Sequence, residues 1–344
     1  MKTGIVKDRR FLNHTMGEGH IENPGRLEAI YSALEEENVP PYVELPPRPA
    51  EEKEIAFIHS PEYISQVRST AGKPSVQLDP DTSTSPLSYE TALLAAGSLL
   101  ETADTIMAGS GIQNAFALVR PPGHHAEKSR AMGFCIFNNI AIAAEHLIQK
   151  HGLKRILVVD WDIHHGNGTQ NAFYHRKDVL YFSIHQFPFY PGTGLWGETG
   201  QGEGEGYTIN VPLFPGKEDA DYVFIFENMI YPLASEYRPE FILVSAGFDI
   251  HREDPLGGME VSDRGFGAMT HILLNTAAEF SQNRLLLTLE GGYSLTGLQE
   301  GVLAVLEQLA GNGSKPEIEK DLSVGTAREL SQVFEILSDY WPIP

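Results

Sequence analysis

Cysteine is almost missing from this chain: Cys135 stands alone, so no intramolecular disulfide can form and a disulfide scaffold is excluded. No apolar run reads as a membrane span, and the opening residues MKTGIVKDRRFLNHT lack the apolar core of about 7–15 residues that a secretory signal carries. These absences predict a reducing, cytoplasmic setting. Positive charge is scarce, with 25 Lys and Arg against 46 Asp and Glu and a net charge of −21. Such a balance argues against direct binding to nucleic acid phosphates and suits a cationic substrate. No internal repeat period is visible.

What the chain does have is a regular alternation. Apolar runs rich in Val, Ile and Leu at Ala115–Val119, Arg155–Val159, Val179–Ile184, Phe241–Ser245 and Leu285–Leu289 predict strands. Between them the spacing predicts helices over Ser88–Ala108, Asn138–Lys150, Asp219–Tyr237, Ser262–Ser281 and Leu295–Leu309. This pattern predicts an α/β fold with a central, mostly parallel sheet flanked by helices. Val39–Pro49 and Phe187–Gly206 read as long loops, because the alternation resumes after each, so residues 1–344 are expected to form one domain. The C-terminal segment from Ser323 to Pro344 has helical apolar spacing and suits either packing on the core or a dimer contact.

Open α/β sheets place their ligands beyond the carboxyl ends of the strands. Here those ends read ALVR-PPGHHAE, LVVD-WDIHHGNG, LVSAG-FDIHRED and LLTLE-GGYS, and each carries ionisable or hydroxyl groups. Asp162 and His164 lie two apart, so an extended segment points both to one side, where they can grip one metal ion with Asp249 as the natural third ligand. The pair His124 and His125 suits proton transfer, with Asp160 as a carboxylate partner. Tyr293, after two glycines, can aim its hydroxyl at an oxyanion. Against these readings stand plainer ones: strand-end caps for the aspartates, buried polar packing for the histidines, and a packing role for Tyr293.

Taken together, HTMGEGHIENPGRLEAI, RPPGHHA, GFCIFNN, DWDIHHGNGTQ, YPGTG, SAGFD and LEGGYS cover roughly residues 14–310. In this order they resemble the zinc-dependent histone deacetylases and their bacterial relatives, the acetoin-utilisation proteins and acetylpolyamine amidohydrolases. The wording RPPGHH and HHGNG is similar to the class II branch, since class I members tend to carry Asp where this chain has Asn167. The resemblance implies the three-layer arginase/deacetylase-like fold with long catalytic loops.

It also implies that Asp162, His164 and Asp249 bind zinc, that Tyr293 polarises an amide carbonyl, and that His125 is the general base and acid. His124 would pair with Asp160 and His125 with Asn167, a weaker partner than Asp, leaving His125 less basic than in class I relatives. Gly133, Phe134 and Tyr190 would line an acyl-lysine channel. Tyr190 stands where family members often have Phe. Asp81 would sit at the rim as a ligand for substrate backbone. Leu256 occupies the position, seven residues after Asp249, where polyamine-selective relatives place an acidic gatekeeper; this favours acetyl-lysine in a peptide or protein over acetylpolyamine, although Glu253 and Asp254 are near enough in sequence to compensate. A structural potassium ion is implied on Asp160, Asp162, His164, Ser183 and Ile184. His165 is expected to brace the strand end, and Cys135 to be buried packing, not a nucleophile.

Two other classes stay open beside the hydrolase. An arginase-like enzyme with two manganese ions would need further Asp and His ligands. A silent acyl-lysine reader would have lost a ligand, a dyad histidine or the tyrosine, and none is lost here. The stretch Gly192-Thr-Gly194-Leu-Trp-Gly197 fits GxGxxG but lacks the preceding strand and following helix of a dinucleotide site.

Overall fold

The chain is seen in a computed structural model that describes residues 2–36, 39–319 and 321–343. Met1 and Pro344, the limits of the expected domain, lie outside the described residues. The strands are β1 (Lys2–Val6), β2 (Val43–Glu44), β3 (Val76–Asp79), β4 (Thr82–Thr84), β5 (Ile112–Ala117), β6 (Ile156–Asp160), β7 (Val179–Gln186), β8 (Thr208–Leu213), β9 (Phe241–Ala246) and β10 (Leu285–Leu289). Eight form one sheet in the order β2-β1-β5-β10-β9-β6-β7-β8, and β3 with β4 makes a separate hairpin. Every pairing in the large sheet is parallel. Each residue of β6, β7, β9 and β10 is buried, as continuous apolar runs covered by helices on both faces require.

Helices Ser88–Met107, Asn139–His151, Asp263–Phe280 and Leu295–Leu309 match the expected spans to within a residue at each end. Asn138 caps the second of these by accepting the Ala141 N–H at 3.0 Å. Three expectations change. The run at 115–119 begins earlier and leaves the ladder after Ala117, because the chain turns toward Pro121, which lacks an N–H and restricts its neighbour. The helix expected over 219–237 is three segments, Asp219–Ile225, a π turn at Phe226–Ile230 and Tyr231–Tyr237. Pro232 accounts for that turn, since its ring would strike the carbonyl four residues back in a regular α-helix and the wider turn relieves it. Strands β1, β2 and β8 and the β3–β4 hairpin were not expected; the two-residue β2 falls inside the Val39–Pro49 segment read as loop, and β8 is an edge strand that tolerates Pro212.

Near the C-terminus, Thr326–Leu337 is helical and buries Leu330, Val333 and Leu337. Trp341 Nε1 donates to the Gly206 carbonyl at 2.7 Å, so this segment packs on the core. Among the described residues no helix is long and apolar enough to cross a membrane.

Candidate metal and acid–base centre

The chain leaves β6 outward through β7 and β8, then returns to β9 and β10 on the other side of β6. That reversal opens a crevice at the strand ends. Asp160, the last residue of β6, is in register with Ser183 of β7 and Ser245 of β9. The loops that follow β6 and β9 therefore bring Asp162, His164 and Asp249 to one point.

His164 Nδ1 lies 3.0 Å from Asp162 Oδ1 and 3.2 Å from Asp249 Oδ2. Two donors each about 2.0–2.1 Å from a tetrahedral ion would be about 3.3 Å apart. Backbone N–H groups aim the carboxylates: His164 N and Gly291 N donate to Asp162 at 2.9 and 2.8 Å, and Ile163 N to Asp249 Oδ1 at 2.9 Å. Asp249 Oδ2 is buried without a hydrogen-bond donor. Gly291 leaves room for this convergence, since a Cβ there would meet Asp249 Oδ2 at 2.1 Å. Burial and the neighbouring Asp162 charge push the Asp249 carboxyl up to about 7. An orphaned acceptor in a carboxylate-rich, buried pocket with one imidazole fits a dication such as zinc. Asp104 with His146 and His151 also converges, but Lys150 Nζ already supplies a cation there at 2.6 Å.

The two histidines after β5 have ring centroids 4.0 Å apart, tilted by 42°, and opposite surroundings. His124 Nδ1 is 3.1 Å from Asp160 Oδ2, which also accepts from the Tyr181 hydroxyl at 2.9 Å. Burial opposes charge on His124, but Asp162 and Asp160 outweigh it and raise the imidazole to about 10; a dication on Asp162 would remove part of that support. His125 Nδ1 is 2.8 Å from Asn167 Oδ1. Burial, together with the charges of His124 and His164, drives His125 well below the ordinary imidazole range. Two adjacent titratable groups pushed apart in this way suit separate acid and base roles.

Above them a cavity of about 180 Å³ is lined by Asp81, His124, His125, Gly133, Phe134, Asp162, His164, Tyr190, Leu256 and Tyr293, among others. Gly133 at φ +56° has no room for a side chain, because a Cβ would lie 2.2 Å from the His125 ring. Phe134 follows at φ 67° and meets Tyr293 edge-on at 6.0 Å. Tyr190 stands edge-on to His125 at 5.2 Å, and burial with the nearby Asp81 raises its phenol. Asp81 Oδ1 accepts from Gly133 N at 3.0 Å and from the Thr82 hydroxyl at 2.7 Å, so it anchors the Gly133 turn as well as reaching the rim. Ser183 Oγ contacts His185 Nδ1 at 2.9 Å, and Ile184 is buried beside it.

His165 contacts Thr193 Oγ1 at 2.8 Å and Gln170 Oε1 at 2.9 Å, bracing the loop that carries the GxGxxG-like stretch. Cys135 is buried, and its Sγ faces the Gly133 carbonyl at 3.3 Å. One expectation needs correction: neither acid after Asp249 substitutes for a gatekeeper. Glu253 is exposed and off the cavity lining. Asp254 turns inward, accepting Tyr293 N, Ser294 N and Leu256 N at 2.6, 3.1 and 2.9 Å.

Other residues around the site went unnoticed in sequence. Arg26 donates to the carbonyls of Gly292 and Glu290, both at 2.6 Å, and its guanidinium lies 5.0 Å over the Tyr293 ring, so it holds the GGY turn. Glu290 is buried and accepts Gly123 N at 2.7 Å and His124 N at 3.2 Å. Both lie inside quoted motifs, GRLEAI and LEGGYS. Their surroundings come from distant segments, and that is why spacing alone did not single them out.

A parallel α/β sheet with a metal-type centre and a histidine pair at its switch point defines the class. Residues 20–309 match the histone deacetylase domain. The chain is 39% identical to Histone deacetylase 15 of Arabidopsis thaliana over 99% of this chain and 63% of that protein. It is 42% identical to Polyamine deacetylase HDAC10 of Homo sapiens over 87% of this chain and 46% of that protein. The solved HDA15 HD domain superposes with a TM-score of 0.93 at 38% identity, covering 99% and 95% of the two chains. The chain belongs to the histone deacetylase family, and it spans about half to two thirds of these two curated relatives.

Proposed function

We propose that this protein is a zinc-dependent hydrolase that removes the acetyl group from acetyl-lysine in a peptide or protein, with residues 1–344 acting as one domain. The reading is carried by one cavity lined by Asp162, His164, His125 and Tyr293, with Asp249 completing the cluster of Asp162 and His164. Asp162, His164 and Asp249 would hold the zinc, which supplies Lewis acidity toward the amide carbonyl and acidifies water. His125 Nε2, opposite the nitrogen that faces Asn167, takes the proton from the attacking water. His124, paired with Asp160, keeps positive charge beside the reacting centre. The Tyr293 hydroxyl donates to the developing oxyanion from the other side. A protonated histidine then returns a proton to the departing amine, so no covalent acyl-enzyme is needed. Phe134 and Tyr190 wall the approach and limit water.

Likeness to a polyamine deacetylase keeps acetylpolyamine as a second reading. Leu256 on the cavity lining argues against it, because a second ammonium would meet an apolar side chain there. Comparing kcat/KM of the zinc-loaded protein on an acetyl-lysine peptide and on N-acetylputrescine decides between them. The peptide should win, and Tyr293→Phe should lower its turnover by roughly 100- to 1,000-fold. A polyamine preference overturns the Leu256 argument. The reading also includes a structural potassium on Asp160, Asp162, His164, Ser183 and Ile184, supported by the Asp160 to Ser183 register; a melting temperature indifferent to potassium over sodium removes it. A cytoplasmic location belongs to the same proposal.

A further inference from the structure

Behind His125 runs a contact chain that the proposed reaction leaves without a role. Asn167 presents Oδ1 to His125 Nδ1 at 2.8 Å and donates from Nδ2 to Glu127 Oε1 at 2.6 Å. One helical turn on, Asn171 Nδ2 donates to both Glu127 carboxylate oxygens at 2.9 and 3.1 Å. The Glu127 backbone is fixed as well: its N–H donates to the Arg130 carbonyl at 2.9 Å, and its carbonyl faces His59 Nδ1 at 2.9 Å. Because His59 Nε2 accepts Asn138 N at 2.9 Å, His59 Nδ1 carries the proton and donates to Glu127.

A carboxylate held here settles two choices in turn. It only accepts hydrogen bonds, so Asn167 must show it the amide NH2 and turn its carbonyl to His125. That carbonyl also only accepts, so His125 carries its proton on Nδ1 and keeps a lone pair on Nε2. Without the carboxylate the Asn167 NH2 keeps only longer contacts, to the His125 carbonyl and Met132 Sδ at 3.4 Å each, which hold the amide less firmly against turning over. Its NH2 would then face His125 and favour the opposite tautomer, whose Nε2 cannot take a proton. We infer that Glu127 is a positioning residue for His125, acting through Asn167 to hold the tautomer that is basic at Nε2. The inference rests on the hydrolytic reading above.

Histidine 15N spectra of the zinc-loaded full chain test it, with the His125 signals assigned by their loss in His125→Ala. Wild type should show the Nδ1-protonated ring. Glu127→Ala should mix the tautomers and lower kcat about tenfold with KM unchanged, in the range for partners that orient a functional group at one remove. Glu127→Gln, which can still accept from Asn167, should recover most of the loss. Glu127→Lys puts a donor in place of the acceptor, so it should reverse the tautomer and lower kcat further. Unchanged His125 signals in both Glu127→Ala and Glu127→Lys overturn the inference. A wild type that hydrolyses neither substrate sinks the activity reading, while the spectra still decide the role of Glu127.

Discussion

Two buried ionic clusters meet at Arg26, and they are built on opposite principles. On one side Glu22 is surrounded by cations. Arg120 pairs with both of its oxygens, Arg26 Nη1 donates at 3.0 Å, and Arg120 also satisfies the carbonyls of Phe11 and His14 at 3.1 Å each. Burial opposes the Glu22 charge, yet Arg120 and Arg26 outweigh it and hold the carboxyl down at about 2. On the other side Asp160, Asp162, Asp249 and Glu290 are all buried, and His124 and His164 are the imidazoles that face them, with Arg26 acting on Asp249 from the edge. There burial wins at Glu290 and Asp249, both pushed up to about 7, while at Asp162 it is outweighed by His124 and His164, which hold that carboxyl down. A cluster whose charges are matched by its own chain is architecture. A cluster left with more buried carboxylates than its own chain answers suits a cation.

Breaking the second cluster should therefore cost function and spare the fold. Asp249→Asn is expected to lower deacetylation more than about 100-fold, since even outer partners of metal ligands cost roughly 10- to 100-fold. The metal-free variant should be at least as stable as metal-free wild type, because one of several mutually repelling buried carboxylates is gone. Adding zinc should raise the melting temperature of wild type, by about 2.7 kcal/mol of stability at 100 times the dissociation constant, and leave the variant unmoved. A variant that still gains stability from zinc would place the ion elsewhere.

Breaking the first cluster should do the reverse. Glu22→Gln strands two buried guanidinium groups and is expected to cost about 3–5 kcal/mol, read as a lower urea midpoint. The sign in pH follows from the depressed carboxyl. Glu22 stabilises the fold fully above about pH 4.5, and that contribution is lost as pH falls toward about 2. Wild type should lose stability through this window more steeply than the variant, and parallel acid curves would show that Glu22 is not the group responsible.

The comparison also explains what could be read in advance. Asp162, His164, Asp249 and Tyr293 were legible because each stands at the end of an apolar run, and the run itself fixes where its end points. The sheet was legible in its buried central strands, where the pattern is continuous. The edge strands β2 and β8 were not, since one is two residues long and the other admits Pro212, which blurs the pattern; β1, five residues at the start of the chain, was missed as well. The Glu22, Arg26 and Arg120 network was hidden for a different reason. Its members come from segments about a hundred residues apart, with Arg120 and Glu22 separated by 98 positions, and a buried ion pair leaves no periodicity in a sequence. Asp254 misled because proximity in sequence to Asp249 does not fix where a carboxylate turns after a bend.

Neutral buried histidines give the mildest test of the same contrast. His14 and His59 lie outside the metal centre, and burial lowers both to about 4, against the partial support of Glu22 for His14 and of the Glu127 carbonyl for His59. Between about pH 6.5 and 4 the unfolded chain takes up protons that the folded one refuses, so stability should fall as pH drops through that window, by up to about 3 kcal/mol per histidine. His59→Gln keeps a side chain that can bridge Asn138 N and the Glu127 carbonyl while removing the titration, so its stability should flatten there relative to wild type. Urea midpoints measured across the window decide it, and a His59→Gln curve as steep as wild type would assign the slope to other groups.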